Sequence, residues 1–91
     1  MNERNILRHE LIGLKIKIKY SSNKYLIGLL GKIIYETYNL IYIKNGNKIR
    51  KIPKKSCIFI FFLPDDKEVV VDGKLLVGRP EDRLKKRLKY W

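Results

Sequence analysis

Three lysines, Lys15, Lys17 and Lys19, alternate with Ile16 and Ile18 inside the run Leu14–Tyr20. Side chains on a β-strand point alternately to its two faces. This spacing therefore sets the lysines on one face and Leu14, Ile16, Ile18 and Tyr20 on the other. Like charges two residues apart repel one another. A phosphate backbone laid across them would relieve that repulsion and release its own counterions. The plainer account is an ordinary solvated strand face.

A second cationic group, Lys44, Lys48, Arg50, Lys51, Lys54 and Lys55, lies in a stretch with no acid between residues 37 and 64. It too fits phosphate contacts, with edge-strand protection as the alternative. Adjacent hairpins would bring it beside the first group, which the sequence leaves open. Arg79 and Arg83 stand at the entrance of a predicted C-terminal helix, where free backbone N–H groups already favour a phosphate. Lys89, in its last turn, fits a partner for the helix dipole. Tyr25 and Tyr38 flank predicted loops and are candidates for stacking on unpaired bases. Tyr20, Tyr35 and Tyr42 lie in strands, where core packing is the simpler account.

Groups that could catalyse are few. His9 is the sole histidine and Cys57 the sole cysteine. A structural zinc site needs about four such ligands, so neither that nor a disulfide can be built from this chain alone. Cys57 precedes an apolar strand and reads as a small core residue. Glu10 adjoins His9 and therefore points elsewhere on a helix. Glu81 and Asp82 sit in a helix's first turn, where acids suit the macrodipole. No glycine-rich phosphate loop, nucleophile elbow or metal motif occurs. No catalytic and no metal-ligating residue is assigned.

These side chains need a scaffold, and 91 residues make one domain with a thin core. Residues 3–12 fit a short helix with Leu7, Leu11 and Leu14 at helical spacing, stopped at Gly13. Such a helix is marginal alone, so its apolar stripe must dock on something. Residues 14–77 carry five or six short strands. Gly28 and Gly31 interrupt the stretch 26–38, as bulges or bends do, and Asn45-Gly46-Asn47 signals a hairpin. Ile49 and Ile52 break the two-residue period, which either a bulge near Arg50-Lys51 or a short edge strand would explain. Ile58–Leu63 is apolar on both faces and is the candidate central strand. Residues 68–77 read as a final strand pair, or one bent strand, broken at Asp72-Gly73. Residues 78–91 form the C-terminal helix. The expected fold is all-β, a small curved antiparallel sheet or barrel with a short helix at each end.

Net charge is +12 with a pI near 10.0. Such a surplus attracts polyanions. Its spread over strands and loops favours nucleic acid over a membrane surface, which calls for one amphipathic helix. No apolar run approaches the ~18 residues of a membrane span. The lone thiol fits a reducing cytoplasm.

Several segments together resemble the ribonuclease P protein component 1 family. They are His9-Glu10-Leu11-Ile12-Gly13, then Gly28-Leu29-Leu30-Gly31-Lys32-Ile33-Ile34-Tyr35-Glu36-Thr37, then Phe59-Ile60-Phe61-Phe62-Leu63-Pro64, and the closing Asp72-Gly73 with Gly78-Arg79-Pro80-Glu81-Asp82-Arg83. Tyr35 departs from the acid common there, and the segment 44–55 is unusually basic. The resemblance implies a strongly bent, Sm-like antiparallel barrel of about six strands. It implies a subunit of ribonuclease P, the endoribonuclease that removes the 5′ leader from precursor tRNA, binding and stabilising its RNA. Catalysis would belong to the RNA subunit with magnesium, so this chain would bind no cofactor. The implied partners are ribonuclease P RNA, precursor tRNA, a zinc-ribbon protein subunit and other ribonuclease P proteins. Leu7 and Leu11 become candidate contacts for the zinc-ribbon subunit, with docking on their own barrel as the alternative. Two other classes are weighed beside it, another small-barrel RNA-binding protein (ribosomal or Sm-like) and a stand-alone nuclease using Glu10 or Glu81.

Overall fold

The computed structural model describes residues 11–78. The predicted helices, with Leu7, Arg79 and Arg83, lie outside the described residues, apart from Leu11, Ile12 and Gly13 at the first helix's end and Gly78 at the second's start.

Alternating apolar positions produce six strands: β1 (Lys15–Ser21), β2 (Leu30–Glu36), β3 (Leu40–Asn45), β4 (Lys48–Pro53), β5 (Cys57–Phe62) and β6 (Glu68–Asp72). They make one sheet in the order β4-β3-β2-β1-β5-β6, with every neighbouring pair antiparallel. The all-β expectation holds. One face carries a single core that includes Ile16, Ile18, Ile33, Ile41, Ile43, Ile52, Phe59 and Phe61, each 0% exposed. Each such side chain contributes about 1.5–3 kcal/mol by leaving water.

Two bulges bend the sheet. The β1–β5 register shifts between Ile18 and Tyr20, and the β2–β3 register shifts between Ile33 and Tyr35. Each inserts an extra residue, Lys19 or Ile34, and so moves the inward position on by one. Ser21 and Glu36 thus turn inward, while Tyr20 and Tyr35 face solvent at 55% and 49% exposure. The core packing expected of Tyr20 and Tyr35 is corrected by this shift, and Tyr42 is only half-buried.

Asn45 pairs with Lys48 across Gly46 and Asn47, giving the expected tight hairpin, with Gly46 at a φ of 61°. β4 is unbulged and lies at the sheet edge, so of the two explanations for Ile49 and Ile52 the edge strand applies. Ile52 is buried and Ile49 faces solvent. β5 pairs on both sides, with β1 and β6, but the middle of the sheet is β2 and β1.

The expected strand at Lys74–Val77 is instead a 3-10 helix, Gly73–Leu76. The Asp72 side chain caps it, accepting from the Lys74 N–H at 3.0 Å. Another 3-10 turn, Lys24–Leu26, takes up part of the stretch expected to be strand before β2.

Beyond β6 the chain crosses to the far end of the sheet. Gly73 packs so closely that a Cβ would collide with the Lys54 carbonyl oxygen. The Gly78 N–H donates to the Tyr38 carbonyl at 2.7 Å. These contacts join the segment after β6 to the β2–β3 turn and the end of β4, closing the bent sheet around its core. No helix of the described residues is long and apolar enough to cross a membrane.

Candidate nucleic-acid interface

Register decides which cations meet. Lys15 stands opposite Lys32 across β1–β2, and Lys32 stands opposite Lys44 across β2–β3. Residues directly opposite in an antiparallel pair share a face. The three lysines therefore form a row across three strands, about 10 Å from first to last at the usual strand spacing. Their inward neighbours Ile16, Ile33 and Ile43 are 0% exposed, so the backbone beneath each lysine is held by the core. Lys17 continues the same face along β1, opposite Leu30 and Ile60. Lys15, Lys32 and Lys44, with Gly13, Gly31 and Gly46, line an open groove. One wall is braced by Asn45, whose amide Nδ2 donates to the Leu30 carbonyl at 2.7 Å.

Two residues further along β3, Tyr35 stands opposite Tyr42, and Tyr42 opposite Lys51. The outer face of β1–β4 thus has a row of ammonium groups beside a row of two tyrosines and a lysine. Among the described residues, the two ion pairs are Lys54–Glu36 and Lys67–Asp65, so no carboxylate neutralises this face. Three adjacent lysines with no carboxylate partner among the described residues cost the free fold repulsion that bound phosphates would offset.

The predicted cations distribute unevenly. Lys15 and Lys17 lie on this face, and Lys19 is the exposed extra residue of the β1 bulge. Lys51 is on the same face, next to Tyr42. Lys48 and Arg50 alternate with Ile49 and Lys51 and project from the opposite side of the edge strand, both exposed. Lys55 is exposed in the β4–β5 turn. Tyr25 and Tyr38 are 84% and 50% exposed, outside the strands.

Two assignments are corrected. Lys54 is 0% exposed and cannot reach RNA. Its ammonium donates to Glu36 Oε1 at 2.9 Å and to the carbonyls of Thr37, Gly78 and Tyr38 at 2.8, 2.8 and 3.3 Å. Leu11 is 0% exposed and belongs to the chain's own core, the docking alternative weighed for it. Its N–H donates to Glu36 Oε2 at 3.4 Å. One lysine of the row is absent from the predicted cations. Lys32 joins the two predicted clusters, and its signal is the alternation Gly31-Lys32-Ile33 inside the strand-forming stretch 26–38. Among the described residues no three His, Cys, Asp or Glu side chains gather to hold a metal ion.

Residues 4–86 match the family model described as ribonuclease P/MRP, subunit p29. A ribonuclease P protein component 1 from Methanococcus aeolicus is 53% identical over 87 residues, covering 93% of this chain and 90% of the relative. The protein of that name from Methanocaldococcus jannaschii is 52% identical over 86 residues, with the same coverage of 93% and 90%. The solved structure of Mth11, a homologue of human RNase P protein Rpp29, superposes with a TM-score of 0.61 at 37% identity. It covers 82% of this chain and 97% of that one. A family match across nearly the whole sequence thus coincides with agreement in fold, and the chain belongs to the ribonuclease P/MRP subunit p29 family.

Proposed function

We propose that this chain is a protein subunit of ribonuclease P and binds the enzyme's RNA through the outer face of β1–β2–β3. The observation that carries the RNA contact is the row Lys15–Lys32–Lys44, held in register by the sheet and, among the described residues, paired with no carboxylate. Its chemistry is that of a phosphate cradle, with charges carried at fixed positions of the sheet that bound phosphates neutralise. Within the holoenzyme, cleavage of the 5′ leader of precursor tRNA belongs to the RNA subunit and its magnesium. This chain supplies placement, from the cytoplasm, beside a zinc-ribbon subunit and other ribonuclease P proteins. Family membership favours this assignment over a ribosomal or other Sm-like role.

Reconstitution tests it. Adding the chain, with a zinc-ribbon partner, to a ribonuclease P RNA lowers the magnesium needed for cleavage of precursor tRNA. The triple variant Lys15→Ala/Lys32→Ala/Lys44→Ala, folded by circular dichroism, loses most of that effect. An unchanged magnesium requirement with the parent chain refutes the subunit role. A fully active triple variant moves the RNA contact off this face.

A further inference from the structure

The tyrosine row beside the lysines is not explained by phosphate binding. Tyr35 and Tyr42 meet edge to face, with ring centres 5.5 Å apart and planes at 72°. The Lys51 ammonium stands 5.8 Å from the centre of the Tyr42 ring. Tyr42 is half-buried and engaged by both neighbours, whereas Tyr35 keeps 49% of its surface open. The open ring is fixed on a strand and steadied by a second ring, on the same face as the Lys32–Lys44 cross-strand pair. The β2 bulge puts it there, because a regular strand would have sent Tyr35 inward.

We propose that this face takes an unpaired RNA nucleotide, with its base stacked on Tyr35 and the adjoining phosphates on Lys32 and Lys44. The inference rests on the RNA-binding proposal above and specifies the form of the RNA. In a duplex the faces of the bases are covered by their neighbours, and an A-form helix offers only backbone and groove edges. A strand with an unstacked base offers both a phosphate and a π-face. Along β3 the tyrosine row lies two residues from the lysine row, about 7 Å, and on β2 the bulge residue Ile34 makes the step from Lys32 to Tyr35 three residues, a separation that one nucleotide bridges from phosphate to base. Cross-strand aromatic pairing alone would stabilise the hairpin, but it requires no flanking cations and leaves RNA preference unaffected. That difference makes the two accounts separable.

The test titrates the purified chain with two fluorescent RNAs, an oligoadenylate of about 12 nucleotides carrying one 2-aminopurine and a blunt duplex of equal length. Tyr35→Leu lowers affinity for the single strand about tenfold and for the duplex by less than about twofold, because stacking is lost and phosphate contacts remain. Tyr35→Phe, which keeps the ring, binds both RNAs as the parent does, and the quenching of 2-aminopurine persists in it but not in Tyr35→Leu. Equal loss on both RNAs, no loss on the single strand, or failure of the Phe variant to retain quenching overturns the stacking role. If Lys32→Ala/Lys44→Ala leaves binding of both RNAs unchanged, the phosphate contact itself is wrong, irrespective of Tyr35.

Discussion

The Lys54 ammonium lies 2.9 Å from the Glu36 carboxylate with side chains 0% and 3% exposed, making an ion pair inside the closed sheet. Two charges taken out of water recover their hydration cost only when their remaining hydrogen-bonding capacity is met. Here it is. The ammonium also bonds carbonyls of Thr37 and Gly78 at 2.8 Å each, and the carboxylate accepts from the Leu11 N–H at 3.4 Å. The pair thereby ties together the segment before β1, the end of β2, the β2–β3 turn, the end of β4 and the chain after β6.

Breaking this pair from one side leaves the other charge buried and alone. Lys54→Met lowers unfolding free energy by about 3–5 kcal/mol, read from urea denaturation followed by circular dichroism. A loss below about 1 kcal/mol, the range of exposed pairs, would mean that the pair contributes little to closure.

Removing repulsion has the opposite sign on the free fold. Lys32→Glu relieves two like-charge oppositions, to Lys15 and to Lys44. It is expected to raise stability by a few tenths of a kcal/mol up to about 1 kcal/mol while weakening RNA binding. The triple alanine variant at Lys15, Lys32 and Lys44 flattens the slope of log K against log[salt] by about 2–3. The parent slope is about −3.5 to −4.5 if about five phosphates are neutralised. Affinity measured across a salt series checks both numbers, and a parent slope near zero refutes phosphate binding.

Leu11 acts within its own chain. Leu11→Ala costs the isolated protein about 2–5 kcal/mol, the usual range for emptying a packed leucine site. A side chain that served a partner surface would leave the isolated protein's denaturation midpoint unchanged.

Gly73 tolerates no side chain. Gly73→Ala forces a Cβ against the Lys54 carbonyl, and the local backbone must move. A loss of about 1–3 kcal/mol is expected, as for overpacked cores. Thermal unfolding of the two proteins side by side decides it.

The strands were legible in the sequence where a two-residue period is strong. Ile16 and Ile18 in β1, Ile41 and Ile43 in β3 and Phe59 and Phe61 in β5 all point inward as their alternation requires. The Gly46 turn announced its hairpin in the same way, because few residues accept a positive φ. Lys15 and Lys17 were recognisable as an outward cationic face for the same reason.

The amino-acid sequence alone determined the period, the turn chemistry, the charge surplus and the ordered motifs of the family, since each depends on residues close together along the chain. Tertiary structure decided which lysines became neighbours, that Tyr20 and Tyr35 turned outward at bulges, and that Lys54 left the cationic surface to neutralise Glu36 inside. Those outcomes depend on strand register and on the chain crossing after β6. Both arise from contacts between residues far apart in sequence, so a local pattern cannot distinguish a lysine bound for solvent from one bound for the core.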